Sequence, residues 1–465
     1  RGNGGNDSID GGAGVDTLDE SNAAVSINVD LSTTAPQNSG RGTVTYQNLE
    51  YVLTGSGNDL ITSSSANNIL RGGAGDDTYR FKDGWGADTV VDTAGSDTID
   101  FVLANNGVTF NPASSEAVNG ANNVTYLGIE SLVGSSGDDT FNIVGALTHT
   151  LRGGAGNDTF VFADGATLTG TIDGQSGTDT LNFSNLQSPI SVALTSVGST
   201  DGFNGTDAAI SGGFSNVDNL IGTSGSDTLN VSTATNTWKF EVGNLKLEVG
   251  SYSLTFSNFD TLNGSMGADT FAFANGADFV GTIDGKGGND TLDLSAYLTG
   301  RDFALTALGA TDGFNLTVAN ISATFLNINT LIGSSATDSL TGLTSGAWAI
   351  NGITNTYLQT NTLAFSAIEN LIGGSGADTF AFANGATLEN GNGTLNGGGG
   401  TDVIDYAAYL VGVIVNLATG SATGTNGISN IENVIGGAGA DDITSDSNAN
   451  TLTGNAGNDI FRFLS

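Results

Sequence analysis

The feature that most constrains this chain is a nine-residue pattern that recurs along its whole length. A complete copy is GGAGNDTFVF at residues 153–162, with glycine at positions one, two and four, Asp158 at position six and Phe160 at position eight. The glycines permit left-handed backbone angles in a tight turn. The Thr-Phe-Val-Phe tail alternates like a short strand. The pattern therefore predicts stacked turns joined by short strands.

The acidic residues indicate where a cation would bind. The net charge is −37, and 39 Asp stand against 9 Glu and 11 Lys plus Arg. Asp favours turns whereas Glu favours helices, so we expect the acid in the turns. A carboxylate at position six among turn carbonyls suits a hard cation such as calcium. Self-repulsion on this scale also destabilises a compact chain unless cations neutralise it, which is a second argument for bound metal.

Composition also argues against several classes of protein. The chain has no cysteine, which rules out a disulfide scaffold and a thiolate metal site. The few basic residues form no cluster, so we expect no nucleic-acid partner. No apolar run approaches the ~20 residues of a membrane span, so we expect no membrane insertion. Repeats at both ends, residues 2–10 and 454–463, lead us to expect a segment of a longer repetitive protein.

Two periods run through the sequence. Key aspartates recur after 9, 18, 19 or 21 residues, the last two steps being those from Asp139 to Asp158 and on to Asp179. A longer period of about 110 residues relates Asp179 to Asp290 and Trp238 to Trp348. We divide the chain into nonapeptide turns (1–100), the end of a divergent superrepeat (101–157), superrepeats at 158–268 and 269–377, and a last superrepeat ending in nonapeptide turns (378–465).

These observations predict an all-β protein, a continuous parallel β-solenoid of the β-roll or β-helix type with turns of 18–21 residues. Short strands cannot bury their apolar faces alone, but stacked strands bury a continuous strip. Val25, Ile27, Val29 and Leu31 alternate as one strand face. Residues 238–256 lack the glycine motif; we expect further solenoid turns there, with a local antiparallel meander as the alternative.

The glycine and aspartate turns resemble the RTX, or haemolysin-type calcium-binding, repeat family. The resemblance is strongest at residues 11–19, 72–81, 153–162 and 454–463. It implies calcium bound by the position-six aspartates and turn carbonyls, and secretion from the cell. The family strings nonapeptides in tandem, whereas most copies here are isolated by 19 to 48 residues. The long spacers look like the β-solenoids of bacterial surface-layer proteins and large adhesins.

The metal-site candidates share one property: each is the aspartate at position six of a glycine-containing turn. The family pattern favours Asp7, Asp16, Asp59, Asp77, Asp97, Asp158, Asp290 and Asp459. The remaining candidates are Asp88, Asp139, Asp179, Asp227, Asp269, Asp378, Asp402 and Asp441. Asp338 is the weakest, because Ala336 replaces the glycine at position four.

Few other residues point to chemistry. We expect His149, the only histidine, on the outer face of a strand. Trp85, Trp238 and Trp348 are expected to pack in the core or at its corners, with stacking on sugars as the alternative. The pairs Asp76-Asp77 and Asp138-Asp139 do not suit acid and base catalysis, since adjacent strand residues point to opposite faces.

We therefore expect a non-enzymatic extracellular protein, a calcium-stabilised solenoid that forms a surface layer, sheath or filament through self-association, with cell-surface polysaccharide as another partner. One alternative is the stalk of a secreted adhesin. Another is the calcium-binding module of an enzyme that acts on polysaccharide.

Overall fold

The structure is a computed structural model that describes residues 6–463. Its strands are short, from two residues at Gln37–Asn38 to eight at Ile210–Val217. The helical segments in this part of the chain are two 3-10 turns, Pro112–Ser114 and Leu388–Gly391. None of the helices among residues 6–463 has the length and apolar character needed to cross a membrane.

The strands follow one another every few residues. Up to residue 221 they are Asn6–Asp10, Thr17–Asp19, Asn28–Asp30, Gln37–Asn38, Thr43–Gln47, Tyr51–Leu53, Leu60–Thr62, Ile69–Arg71, Thr78–Lys82, Ala87–Val91, Thr98–Leu103, Thr109–Asn111, Glu116–Asn119, Asn122–Leu127, Ser131–Val133, Thr140–Ile143, Ala146–Leu147, Thr150–Ala155, Thr159–Phe162, Thr167–Leu168, Ile172–Ser176, Thr180–Asn182, Ser191–Val197, Phe203–Asp207, Ile210–Val217 and Asn219–Ile221. The later strands are Thr228–Val231, Asn236–Glu241, Asn244–Val249, Tyr252–Ser257, Thr261–Asn263, Asp269–Phe273, Gly281–Asp284, Thr291–Asp293, Asp302–Leu308, Phe314–Val318, Ala323–Ile328, Thr330–Ile332, Ser339–Thr341, Ala347–Ile350, Asn355–Leu358, Thr362–Ser366, Asn370–Ile372, Thr379–Phe382, Thr394–Asn396, Val403–Asp405, Ile414–Asn416, Ser421–Ala422, Gly427–Ser429, Asn433–Ile435, Asp442–Thr444, Thr451–Thr453 and Ile460–Arg462.

The chain forms two compact units. The first runs to Leu229 and includes Gly250–Phe259, and the second consists of Asn230–Val249 and the residues from Asp260 onward. In the first unit, one ladder of parallel strands stacks Leu18, Val52, Leu70 and Val90 in register. The other ladder stacks Val29, Ile61, Tyr79, Ile99 and Leu132.

The second unit repeats this construction. One of its ladders aligns Phe271, Leu292, Leu331 and Phe365, and the other aligns Leu340, Leu371, Leu395 and Ile428. Each unit is therefore a parallel β-solenoid whose successive turns form rungs of two sheets. The predicted fold class is confirmed.

The core of each unit is a narrow strip of large side chains between the two ladders. Alternation puts every second residue inside, as in Thr159–Phe162, where Phe160 and Phe162 are buried. Phe141 lies stacked between Phe110 and Phe160, with ring centroids 4.4 and 4.8 Å away. Trp85, Trp238 and Trp348 are 2, 0 and 1 % exposed, which confirms their predicted packing in the core.

Antiparallel meanders interrupt the parallel ladders. Thr109–Asn111, Glu116–Asn119 and Asn122–Leu127 pair antiparallel with one another, while the first and last of them pair in parallel with neighbouring turns. Ala347–Ile350, Asn355–Leu358 and Thr362–Ser366 do the same in the second unit. A meander thus fills three rungs without changing the direction of the solenoid.

Three local expectations need correction. Asn236–Glu241 pairs antiparallel with Asn244–Val249 through a two-residue turn at Val242 and Gly243, so the solenoid-turn interpretation is wrong for this hairpin. The positive φ of Gly243 favours this tight reversal. The strand predicted from residue 25 is limited to Asn28–Asp30, and Val25 is exposed. His149 is half-buried in the connection before Thr150–Ala155, not on a strand.

Candidate metal-binding turns

Most key aspartates stand at the end of a six-residue turn, at or just before the first residue of the next strand. We number the turn so that the aspartate is residue six. Its Oδ1 accepts the backbone N–H of the corresponding residue one turn earlier, as Asp77 does from Asp59 at 2.7 Å and Asp158 from Asp139 at 2.8 Å. The aspartates thereby join successive turns, whether or not a metal is bound.

Residue one is glycine in most of these turns, for a steric reason. A Cβ on Gly153 would lie 2.2 Å from Asp158 Oδ2, and one on Gly72 would lie 2.0 Å from Asp77 Oδ2. The carboxylate therefore occupies the space that a side chain would take.

In one class of turn, which we call closed, the N–H of residue two donates to the Oδ2 of the aspartate. Ser135 N lies 2.6 Å from Asp139 Oδ2, and Thr223 N lies 2.6 Å from Asp227 Oδ2. The Ser135 and Thr223 hydroxyls donate to the same carboxylates. Every oxygen of such a carboxylate has a donor. The closed turns end at Asp59, Asp139, Asp227, Asp269, Asp338, Asp378 and Asp441.

In the other class, which we call open, residue two has a positive φ. At Gly154, φ is +110°, and no described residue donates a hydrogen bond to the buried Oδ2 of Asp158. The open turns end at Asp16, Asp77, Asp88, Asp158, Asp179, Asp290, Asp402 and Asp459. In seven of these eight turns, Oδ2 is buried without a hydrogen-bond partner among residues 6–463, namely in Asp16, Asp77, Asp88, Asp158, Asp179, Asp290 and Asp402.

The residue before the turn distinguishes the two classes. It is aliphatic before the closed turns of Asp139 and Asp378 but polar before the open turns of Asp179 and Asp290. Where it is Asp or Asn, its side chain accepts the N–H of residue two, as Asp173 does from Gln175 at 3.2 Å. That contact holds the N–H away from the carboxylate. Asn263, before the closed turn of Asp269, departs from this rule.

Burial makes six of the open carboxyls, those of Asp77, Asp88, Asp158, Asp179, Asp290 and Asp402, weaker acids than usual. It raises the pKa of Asp158 to about 8, with the carboxylates of Asp139 and Asp179 contributing. Burial likewise raises the pKa of Asp88, Asp179 and Asp290 to about 7. An uncompensated charge in a buried site is unfavourable, so these four carboxylates favour either a proton or a cation.

Three buried carboxylates converge at Asp77, Asp92 and Asp97, whose oxygens lie within 4.8 Å of one another. Asp92 replaces the glycine at residue one of the turn that ends at Asp97. The hydroxyl of Tyr79 donates to Asp92 at 2.5 Å and accepts the N–H of Gly72 at 2.5 Å, so it orients Asp92. Burial, and then repulsion within the cluster, raise the pKa of both Asp77 and Asp97.

The sequence analysis did not identify Asp92 as a candidate ligand, although the replacement of glycine by Asp92 at residue one of its turn is visible in the sequence. Of the sixteen predicted site residues, eight lie in open turns and six in closed turns. Asp97 belongs to the carboxylate cluster. Asp7 lies in the strand Asn6–Asp10, and the glycines before it lie outside the described residues. Metal binding by each of these residues stays a prediction.

The turns are similar to a known repeat. The family described as RTX calcium-binding nonapeptide repeat (4 copies) matches residues 1–19, 53–84, 82–100, 150–167, 258–280 and 426–462. The chain carries RTX repeats. These segments make up less than half of its length, and the open turns of Asp179, Asp290 and Asp402 lie outside them. Among curated proteins, none matches the chain.

Proposed function

We propose that this chain is a calcium-stabilised β-solenoid with a structural role outside the cell, as part of a surface layer, sheath or filament. The observation that carries the proposal is the set of open RTX-like turns, seven of which keep a buried carboxylate oxygen that no described residue satisfies. Those of Asp158 and Asp179 lie one turn apart, and those of Asp179, Asp290 and Asp402 follow the period of about 110 residues. A cation at each of them would satisfy the carboxylate as the N–H of residue two does in the closed class.

Calcium suits the donor atoms on offer. It takes carboxylate and backbone carbonyl oxygens at 2.3–2.6 Å, so two ligands of one ion lie at most about 5 Å apart. The oxygens of Asp77, Asp92 and Asp97 lie within 4.8 Å of one another, which satisfies this limit. The RTX repeat is a calcium-binding motif, and it covers this part of the chain.

The same chemistry supports an extracellular location. Proteins with RTX repeats are typically secreted. Extracellular calcium-binding modules work with dissociation constants of about 10⁻⁴–10⁻³ M, which sites built from one or a few carboxylates reach. The net charge of −37 would also be compensated in a medium rich in divalent cations.

The proposed role is mechanical and non-enzymatic. A superrepeat of about 110 residues presents similar strands and turns at regular intervals of the sequence. Such a surface suits a partner that is itself periodic, either further copies of this chain or a polysaccharide on the cell surface. The competing roles, an adhesin stalk and a module of a polysaccharide-acting enzyme, share the calcium sites and differ in what the chain contacts.

A calcium titration of the chelator-stripped protein tests the proposal, with circular dichroism and light scattering recorded on the same samples. We expect the β-sheet signal and the particle mass to rise together as calcium is added, and magnesium at equal concentration to have little effect. A rise in β-sheet signal at constant mass would favour the monomeric stalk. A stripped protein that is fully folded and binds no calcium would refute the proposal. Hydrolysis of a polysaccharide by the isolated chain would overturn the non-enzymatic role.

A further inference from the structure

A motif that no nonapeptide pattern covers occurs twice in the chain. It is GSTDGFN at residues 198–204 and GATDGFN at residues 309–315, with Asp201 and Asp312 spaced 111 residues apart. Each copy forms the tip of an antiparallel hairpin, between Ser191–Val197 and Phe203–Asp207 in the first unit and between Asp302–Leu308 and Phe314–Val318 in the second. Both hairpins belong to meanders and not to the repeat turns.

The hairpin tip in the first unit lies against an open turn. Asp201 Oδ2 accepts the N–H of Gly177, which is residue four of the turn that ends at Asp179, at 3.1 Å. On the next rung, Asp218 Oδ2 accepts the N–H of Asp179 at 3.0 Å. Carboxylate oxygens of Asp179, Asp201 and Asp218 all lie within 4.8 Å of one another.

Two oxygens in this cluster are left over once its hydrogen bonds are assigned. Asp179 is 0 % exposed, its Oδ1 accepts the N–H of Asp158 at 2.8 Å, and no described residue donates to its Oδ2. Asp201 Oδ1 is likewise buried without a partner within residues 6–463. Three carboxylates with two unsatisfied buried oxygens form a donor set that suits a hard cation.

The supporting residues hold this geometry in place. Gly198 N donates to Gly202 O at 2.9 Å, and a Cβ on Gly198 would lie 1.8 Å from Asp201 O, so the tight tip requires glycine there. Asn216 adopts a φ of +53°, accepts the N–H of Thr200 at 3.1 Å and donates to Asp173 at 2.6 Å. The hairpin tip is thereby tied to the strand that enters the open turn.

The second unit contains the same arrangement with one ligand changed. Asp312 Oδ2 accepts the N–H of Gly288 at 3.1 Å, and Asp290 and Asp312 each keep a buried oxygen without a partner in the described chain. Asn327 repeats the part of Asn216, with a φ of +55° and contacts to Thr311 and Asp284. Asn329 stands in the place of Asp218 and accepts the N–H of Asp290 at 3.0 Å.

We propose that Asp179, Asp201 and Asp218 form a calcium site, and that Asp290, Asp312 and Asn329 form a second, weaker calcium site in the other unit. The first site offers three carboxylates and the second offers two, and calcium affinity increases with ligand charge. The inference rests on the proposed calcium binding of the chain, but its ligands Asp201 and Asp312 come from meander hairpins. Calcium would tie each hairpin to its solenoid turn.

Calorimetric titration of the full chain with calcium chloride tests the inference by counting bound ions. Asp201→Asn retains an oxygen that accepts the Gly177 N–H, and we expect it to lower the count by one or to weaken one site at least about tenfold. Asp138→Asn, at an exposed residue of a closed turn, is the control and should leave the count unchanged. Unchanged binding by Asp201→Asn would overturn the inference.

A gain-of-ligand pair avoids the ambiguity of a variant that fails to fold. Asn329→Asp should strengthen the second site, and Asp218→Asn should weaken the first until the two titrate alike. If Asn329→Asp leaves all affinities unchanged, the second site does not exist. If the wild-type chain binds no calcium at all, the proposed function fails. If it binds calcium but Asp201→Asn and Asn329→Asp change nothing, only this inference fails.

Discussion

The difference between a structural aspartate and a candidate calcium ligand lies in a single oxygen. Asp139 and Asp158 stand on successive turns and use Oδ1 in the same way, each accepting a backbone N–H from the turn before. Oδ2 of Asp139 accepts the N–H of Ser135, whereas Oδ2 of Asp158 is buried with no donor among the described residues. The same residue type therefore has two roles, and the backbone conformation of residue two determines which role each aspartate takes.

Asp158→Asn tests this assignment. Asparagine keeps an oxygen for the Asp139 N–H and replaces the unsatisfied oxygen by an uncharged amide. At neutral pH we expect the calcium-free protein to gain on the order of 2 kcal/mol in the free energy of unfolding, because folding no longer requires protonation of this buried carboxyl. We also expect it to lose one calcium ion, measured by calorimetry, and part of its stabilisation by calcium.

The matched control is Asp139→Asn on the neighbouring closed turn. Asn68 already occupies residue six of a closed turn, where its Oδ1 accepts the Ser64 N–H at 2.9 Å, so asparagine is compatible with that geometry. We expect no change in the number of calcium ions bound. If both variants lose the same amount of calcium, the distinction between open and closed turns is wrong.

The pH dependence of stability follows from the raised pKa of the open carboxyls. Burial raises the pKa of Asp158 to about 8 and of Asp179 and Asp290 to about 7, from 3.8. Between about pH 4 and pH 8 the folded chain holds protons that the unfolded chain has released. Without calcium, the free energy of unfolding should therefore fall as the pH rises through this window.

Thermal melts from pH 5 to pH 9, with chelator and with excess calcium, measure this effect. Calcium requires ionised ligands, so its stabilisation should grow with pH while the chelated protein loses stability. The two melting curves should thus diverge above about pH 7. Parallel curves would mean that the buried carboxyls neither hold protons nor bind calcium.

At the scale of the elements, the ladders supply the packing and the turns supply the charge. Identical positions on successive strands stack in register, so the core is one strip of aromatic and aliphatic side chains in each unit. The meanders preserve the strip because their outer strands still pair in parallel with the neighbouring turns. Stability at this scale depends on contacts between adjacent rungs.

Phe141→Ala tests the importance of the strip. Its ring is 0 % exposed and stacks on both Phe110 and Phe160. We expect a loss of about 3–5 kcal/mol in the free energy of unfolding, measured by urea denaturation in saturating calcium. Phe461→Ala, at a residue that is 40 % exposed, is the control and should cost clearly less. Equal losses would show that the strip does not hold the rungs together.

At the scale of the whole molecule, charge repulsion sets the conditions under which the chain folds. The net charge is −37, and the seven ion pairs in the described residues neutralise few of the acids. Repulsion of this kind is screened by salt over the Debye length, about 30 Å at 0.01 M and 10 Å at 0.1 M. Cations bound in the turns would reduce this repulsion directly, because they would neutralise the carboxylates there.

Salt should therefore stabilise the calcium-free protein. Raising sodium chloride from about 10 mM to about 300 mM in chelator should raise the melting temperature, measured by circular dichroism, because screening weakens the repulsion. The increase should be smaller in saturating calcium, since bound ions have already reduced the net charge. If the melting temperature in chelator does not change with the sodium chloride concentration, this explanation is wrong.

Much of this architecture could be predicted from the sequence. Alternating strands, glycine turns and their spacing predicted a parallel β-solenoid, because each of these signals is local and repeats. The burial of Trp85, Trp238 and Trp348 was predicted as well, because large apolar rings pack in the core. The sequence did not decide whether Asn236–Glu241 and Asn244–Val249 form solenoid turns or an antiparallel hairpin. Apolar and polar residues alternate in the same way in both structures.

By itself, the sequence determined the repeat, the strand faces and the aspartate at residue six of each turn, because these depend on neighbouring residues. Only the tertiary structure decided which of those aspartates keep an unsatisfied oxygen, since that depends on the φ of residue two and on donors one turn away. It also brought Asp92 to Asp77 and Asp97, and Asp201 to Asp179. Contacts between residues 15 or 22 positions apart follow from how rungs and hairpins stack, and no local pattern specifies them.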